Sequence, residues 1–213
     1  MVGEYEKFAN EFIAACKKHN AQTSWLTATT SDFRYMYVTP IENMAELDKD
    51  PYTEMAKAMG DDFGDMFNRF NKCYDSHGSY IITMDEELTY MPDGISQTQE
   101  GQNYRKYIYL YYTPENHAKL KEGMKAVKEM FASKESKEHY RIYRSGFGIM
   151  ESYYMVAISA KDEIDSATRG KANDELLGDG RHEVFANLMK YVSRFEELSG
   201  EIRPDLGYSP KEE

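Results

Sequence analysis

Cysteine is nearly absent. Cys16 and Cys73 are the only two in 213 residues, so one disulfide is the most the chain can form. Each falls on the apolar stripe of a predicted helix, where a thiol acts as a small hydrophobe. Two buried free thiols suit a reducing compartment. No apolar run approaches the roughly 18–20 residues that span a bilayer. The start, Met1-Val2-Gly3-Glu4-Tyr5, lacks the basic segment and apolar stretch of a signal peptide. The chain as it stands therefore reads as cytoplasmic, while a segment missing ahead of Met1 would admit a secreted or periplasmic location. Positive charge is also scarce: 26 Lys and Arg against 37 Asp and Glu leave a net charge of -11. Such a surface repels phosphate backbones and anionic membranes. Lys17-Lys18 and Arg141/Arg144 are too sparse to make a basic patch, so nucleic acid is not an expected partner.

The usual catalytic signatures are missing as well. Gly-x-Ser-x-Gly does not occur, which removes the usual hydrolase elbow. Gly146 and Gly148 join two strands, so no helix N-terminus follows to receive a phosphate. There is no His-Glu-x-x-His, Cys-x-x-Cys or calcium-loop pattern, and no metal site is expected. Asp61, Asp65, Asp179, Glu183 and His182 gather near the starts of two helices. Capping and the helix dipole account for acids there.

What the chain does contain is a match to itself. Ser31 to Tyr37 lies over Met150 to Val156 at an offset of 119 residues. Met59 to Phe67 lies over Leu177 to Phe185, and Leu88 to Pro92 over Leu206 to Pro210, both at 118. Three separated matches in one order need only a one-residue gap, which argues for a duplicated unit. The periodicities follow the match. Tyr5, Phe8, Phe12 and Cys16 recur at helical spacing, as do Leu120, Met124, Val127 and Phe131. After each comes a pair of strand-like stretches, 22–30 and 33–40, then 139–145 and 152–159. Ser145-Gly146-Phe147-Gly148 makes the second hairpin turn. A later helix carries Met66, Phe67, Phe70 and Tyr74 in one copy, and Val184, Leu188, Val192 and Phe195 in the other. Each copy closes with a strand, near 79–90 and 201–208. The second copy also opens with one, Arg105 to Tyr112, which completes a βαββαβ order. The first has no such strand ahead of its helix. These readings place repeat one at 1–92, a polar linker at 93–103 and repeat two at 104–213.

The expected fold is α+β: two tandem ferredoxin-like repeats, packed by their bare sheet faces as a pseudo-dimeric α/β barrel, the first lacking its leading strand. On this element order and duplication the chain resembles the dimeric α/β-barrel superfamily, which includes antibiotic-biosynthesis-type monooxygenases and NIPSNAP-like proteins. The resemblance implies binding of a small aromatic or apolar molecule, or of haem, and several members are oxygenases or isomerases. No diagnostic motif of those families is present, so no active-site residue is carried over from them. Homo-oligomerisation is left open.

Strand alternation supplies the candidate chemistry. Ile108 and Leu110, Tyr140 and Ile142, and Tyr154, Val156 and Ile158 are expected to meet the helices. The opposite faces carry Tyr107, Tyr109, Tyr111, Tyr143 and Tyr153, with His139 and Arg141. Aromatic walls with a few polar groups suit a small-molecule pocket. A histidine there moves protons near neutral pH, and an arginine holds an anion or enolate. His139 and Arg141 are thus the candidate catalytic pair and the five tyrosines the candidate ligand wall. The competing reading is structural: the tyrosines pack an interface, and His139 sits exposed at the start of its strand. Trp25, the only tryptophan, fits a core position better than a stacking platform. The function expected is small-molecule binding, with cofactor-independent oxygenation or isomerisation as its chemical form. The alternative is a non-catalytic interaction or stress-associated protein with a filled core.

Overall fold

A computed structural model describes residues 2–210 of the chain. It contains two compact units, one of residues 2–29, 33–78 and 202–210, the other of residues 30–32 and 79–201. The first unit takes its closing segment, 202–210, from the far end of the sequence, while 79–92 runs directly into the second.

The first unit opens with α1 (Val2–His19), which buries Tyr5, Ala9, Ile13 and Cys16. Its stripe is rotated from the expected one. Ala9 and Ile13 hold the centre, while Phe8 and Phe12 lie at the margins and are half-buried. A tight hairpin follows, β1 (Leu26–Thr30) and β2 (Tyr35–Val38), with Leu26 opposite Val38. It is shorter than the sequence pattern suggests, starting at Leu26 and ending at Val38, and Phe33 takes a left-handed φ of 64° in the turn. The short helices α2 (Thr53–Met59) and α3 (Asp61–Phe70) complete the layer. Asp50 accepts from the Tyr52 amide and the Thr53 hydroxyl just ahead of α2. Gly60, not an acid, caps α3, so Asp61 in its first turn acts through the helix dipole without a capping bond. Trp25 is buried and donates its indole N–H to the Leu206 carbonyl at 2.9 Å, which settles it as a core residue. Cys16 is buried in this core, whereas Cys73 lies half-buried in a 3-10 turn rather than on a helical stripe.

The second unit is a ferredoxin-like sandwich. Its elements run β3 (Ile82–Met84), β4 (Tyr104–Tyr111), α4 (His117–Ser133), β5 (Tyr140–Ser145), β6 (Tyr153–Ala160), α5 (Glu163–Leu177), α6 (Gly180–Met189) and β7 (Arg194–Ile202). The strands form antiparallel pairs in the order β7-β4-β6-β5-β3. From β4 onward this is the βαββαβ order with its outer strands exchanged as the split βαβ arrangement requires. The core lies between sheet and helices: Leu120, Met124, Val127 and Phe131 of α4 meet Leu110, Ile142, Tyr154 and Leu188. The aliphatic strand faces therefore meet the helices, as alternation implies.

Three elements depart from the sequence reading. Helix α5 carries no apolar stripe: Leu177 is its sole buried residue and Ile164 stands 78% exposed, so periodicity does not reveal it. Its start is set instead by Asp162, which accepts from the Asp165 amide, while Asp165 accepts from the Lys161 amide. Helix α6 stops at Met189, and Phe195 belongs to β7 with its side chain half in solvent. The last strand runs Arg194–Ile202, and Tyr208 beyond it makes only an isolated bridge to Trp25.

The ends of α1 and α4 are built alike. Asn20 and Glu135 both take left-handed φ values, 46° and 52°. The next amides, of Ala21 and Ser136, then reach back to the carbonyls of Cys16 and Phe131, each at 3.0 Å. This is the Schellman closure of a helix C-terminus. In each unit a tyrosine seals the turn: Tyr208 donates to the Ala21 carbonyl and Tyr90 to the Ser136 carbonyl, both at 3.0 Å.

Candidate functional site

The site lies in the second unit, on and beside the sheet face turned away from α4. Arg141 on β5 and Tyr107 on β4 are both opposite Ala157 of β6, and Tyr143 and Tyr109 are both opposite Met155. Arg105 is opposite Ser159 in the same register. The face therefore alternates rows of tyrosine and arginine.

Five of the seven candidate residues are the tyrosines of this face, and they are packed rather than open. Tyr107, Tyr109 and Tyr153 are buried. The rings of Tyr109, Tyr111 and Tyr153 form a mutual cluster with centroids 5.2–6.3 Å apart. Tyr111 also receives the Arg194 guanidinium over its ring at 3.7 Å and donates its hydroxyl to Glu196 at 3.0 Å. Burial raises the Tyr107 phenol to about 12, so it stays protonated.

The segment between the copies, expected as a plain linker, straps this face. Arg141 donates to the carbonyls of Ser96 (2.5 Å) and Gln97 (3.0 Å) and to the Ser159 hydroxyl (2.5 Å). Arg105 donates to the carbonyls of Gln97 (3.0 Å), Gln102 (2.5 Å) and Tyr104 (2.9 Å). Tyr143 donates to the Gln97 side chain. The strap thus offers its backbone carbonyls to two buried guanidiniums.

Beside the strap a cavity of about 290 Å³ opens, lined by Met91, Gln99, Gln102, Lys137, His139, Tyr140, Arg141, Ser159, Lys161, Asp165 and Arg169. It brings His139 and Arg141 together and includes none of the five tyrosines. Three buried side-chain polar atoms have no hydrogen-bond partner among the described residues: Gln102 Oε1, His139 Nε2 and Tyr140 Oη. All three residues line this one cavity. Buried polar groups are normally satisfied, which sets these three apart from the rest of the described side chains. His139 Nε2 stands 4.0 Å from the exposed Asp93 carboxylate, beyond hydrogen-bond reach. Burial lowers the His139 pKa from its usual 6.5, with Arg169 and Lys137 pushing the same way against Asp93. The imidazole is thus neutral at pH 7.

Sequence reasoning missed Gln102, Tyr140, Lys161 and Arg169. Arg169 rides on α5, the helix without an apolar stripe. Tyr140 reads as a helix-facing core residue, which its ring is, since it packs against Phe131 at 5.3 Å. Haem does not suit this cavity. At about 290 Å³ it sits at the lower edge of the ~300–1,000 Å³ range for small-molecule sites, and apart from Met91 and the Tyr140 ring its lining is polar.

No protein-family model matches the chain, and no curated protein does. Among solved structures it is similar to an anthrone oxidase-like protein, with a TM-score of 0.61 at 10% identity over 95% of this chain and 86% of that one. It is also similar to a candidate monooxygenase from Lactobacillus acidophilus NCFM, with a TM-score of 0.50 at 10% identity over 94% and 86% of the two chains. At this identity the likeness establishes the fold, and it agrees with the resemblance to the dimeric α/β-barrel superfamily.

Proposed function

We propose that the cavity beside His139 binds a small aromatic carbonyl compound and that the protein acts on it as a cofactor-independent oxygenase or isomerase. One observation carries the reading: the three unpartnered buried polar atoms all belong to residues of this single cavity. A neutral His139 is the base. It removes a proton from carbon next to the carbonyl, and the electron pair moves onto the carbonyl oxygen, near the Arg141 charge. Returning the proton to a different carbon isomerises the compound. With dioxygen, the electron pair reduces O2, a CH2 becomes a new carbonyl keeping one oxygen atom, and the other oxygen leaves as water with both hydrogens. No metal is required for that balance.

A second reading, a non-catalytic interaction or stress-associated protein, is favoured by the closed tyrosine face, where Tyr107, Tyr109 and Tyr153 are buried and the strap satisfies both arginines. The same view of the chain takes 1–92 and 104–213 as copies of one unit, which the paired helix closures sealed by Tyr90 and Tyr208 support.

Anthrone, which has an acidic CH2 beside aromatic rings and a carbonyl, is the first probe. Aerobic incubation with the protein is expected to consume O2, and H139Q to abolish the uptake. Uptake unchanged in H139Q removes His139 as base, and no turnover of anthrone or of a β,γ-unsaturated ketone favours the non-catalytic reading.

A further inference from the structure

The charge lining the cavity runs against that of the chain. The whole carries -11, yet the cavity is lined by Lys137, Arg141, Lys161 and Arg169, with Asp165 as its one acid. Arg169 is already neutralised, by Glu138 at 3.2 Å and Asp165 at 3.5 Å. The other three have no carboxylate within 4 Å among the described residues. Arg141 is the telling case. It is 3% exposed, and all its hydrogen bonds go to uncharged carbonyl and hydroxyl oxygens. Arg105, 2% exposed behind it, is bonded in the same way to carbonyls alone. Burial and the Arg141 charge together pull the Arg105 guanidinium down to about 10.

Two adjacent buried cations without a counter-charge are costly to fold. Hydrogen bonds to carbonyls satisfy their N–H groups but leave the net charge uncompensated. A structural role alone would be met more cheaply by glutamine or methionine. An anion in the neighbouring cavity would supply the missing negative charge, with Lys137 and Lys161 at the rim drawing it in against the repulsion of the acidic surface.

We infer that the compound bound in this cavity is a small aryl anion, its carboxylate or phosphate facing Arg141, Lys137 and Lys161. The inference rests on the small-molecule reading above and names the class of molecule.

The test is calorimetric titration of the full chain with 4-hydroxybenzoate, its neutral counterpart 4-hydroxybenzamide, and phenyl phosphate. At least one anion is expected to bind ten-fold or more tightly than the amide, and the tighter of the two identifies the headgroup. The exposed pair K137Q/K161Q, chosen because Arg141 is tied into the strap, is expected to weaken the anion ten-fold and leave the amide unchanged. Equal binding of amide and anions, or unchanged anion affinity in K137Q/K161Q, overturns the inference while leaving the small-molecule site standing. No binding of any of the three overturns both.

Discussion

The Tyr208 hydroxyl donates to the Ala21 carbonyl at 3.0 Å, joining the segment after β7 to the end of α1 across 187 residues. It also reaches the Cys16 carbonyl at 3.1 Å. Removing that oxygen in Tyr208→Phe keeps the ring and loses only the bonds. The expected cost is about 1 kcal/mol, with Tyr90→Phe equal to it within error. Urea denaturation of the two variants measures this. A cost confined to one of them would show that the two closures are not equivalent.

Glu135 holds a left-handed φ of 52° at the end of α4, where glycine carries no Cβ penalty. Glu135→Gly is expected to stabilise by about 0.5–1 kcal/mol, the steric relief outweighing the added freedom of the unfolded chain. Thermal unfolding gives the sign directly.

The β5–β6 turn tolerates little. Gly148 has φ +86°, and a Cβ there would lie 2.8 Å from the Ser79 carbonyl oxygen. Gly148→Ala should therefore destabilise by about 1–3 kcal/mol. Hydrogen exchange is expected to show the loss first around β3, which this turn supports through the bond from the Ile81 amide to the Phe147 carbonyl.

Much of this was legible from residue order. The helix-facing rows were read correctly from alternation, because Ile108, Leu110, Ile142 and Val156 differ in kind from their neighbours. Tyr140 was placed rightly in the core, but its orphan hydroxyl depends on where the ring ends, which alternation does not encode. The strap was unreadable for a related reason: its bonds to Arg105 and Arg141 come from backbone carbonyls, which every residue possesses. Helix α5 was invisible because its amphipathic signal is absent. The charge of the cavity was hidden too, since Arg141 on β5, Arg169 on α5, and Lys137 and Lys161 in the loops before them converge only once the sheet forms.

Ser159→Ala removes the hydroxyl that accepts from Arg141 at 2.5 Å. One N–H of a guanidinium 3% exposed is then left unpaired, at a cost of about 1–3 kcal/mol. If an anion completes the site, adding 4-hydroxybenzoate should recover part of that loss. Differential scanning calorimetry with and without the anion reads both effects.

Turnover should follow the neutral form of His139. Its folded pKa lies below the ordinary 6.5 because burial disfavours the charged ring. The rate is therefore expected to hold steady as pH falls to 6.5 and to drop only below it. Stability shares the sign. The unfolded chain takes the proton first, so the His139 contribution is present above 6.5 and is lost as pH falls through the folded pKa. A rate that instead rises as pH falls would require a protonated imidazole.

The most direct test of the site is the imidazole ¹⁵N spectrum of His139, assigned by its loss in H139Q and followed during titration with 4-hydroxybenzoate. The unpartnered Nε2 should move strongly on binding, with His19 and His77 unmoved as internal references. A His139 signal that stays in place at saturating ligand, or shifts no more than those two, contradicts a binding site in this cavity.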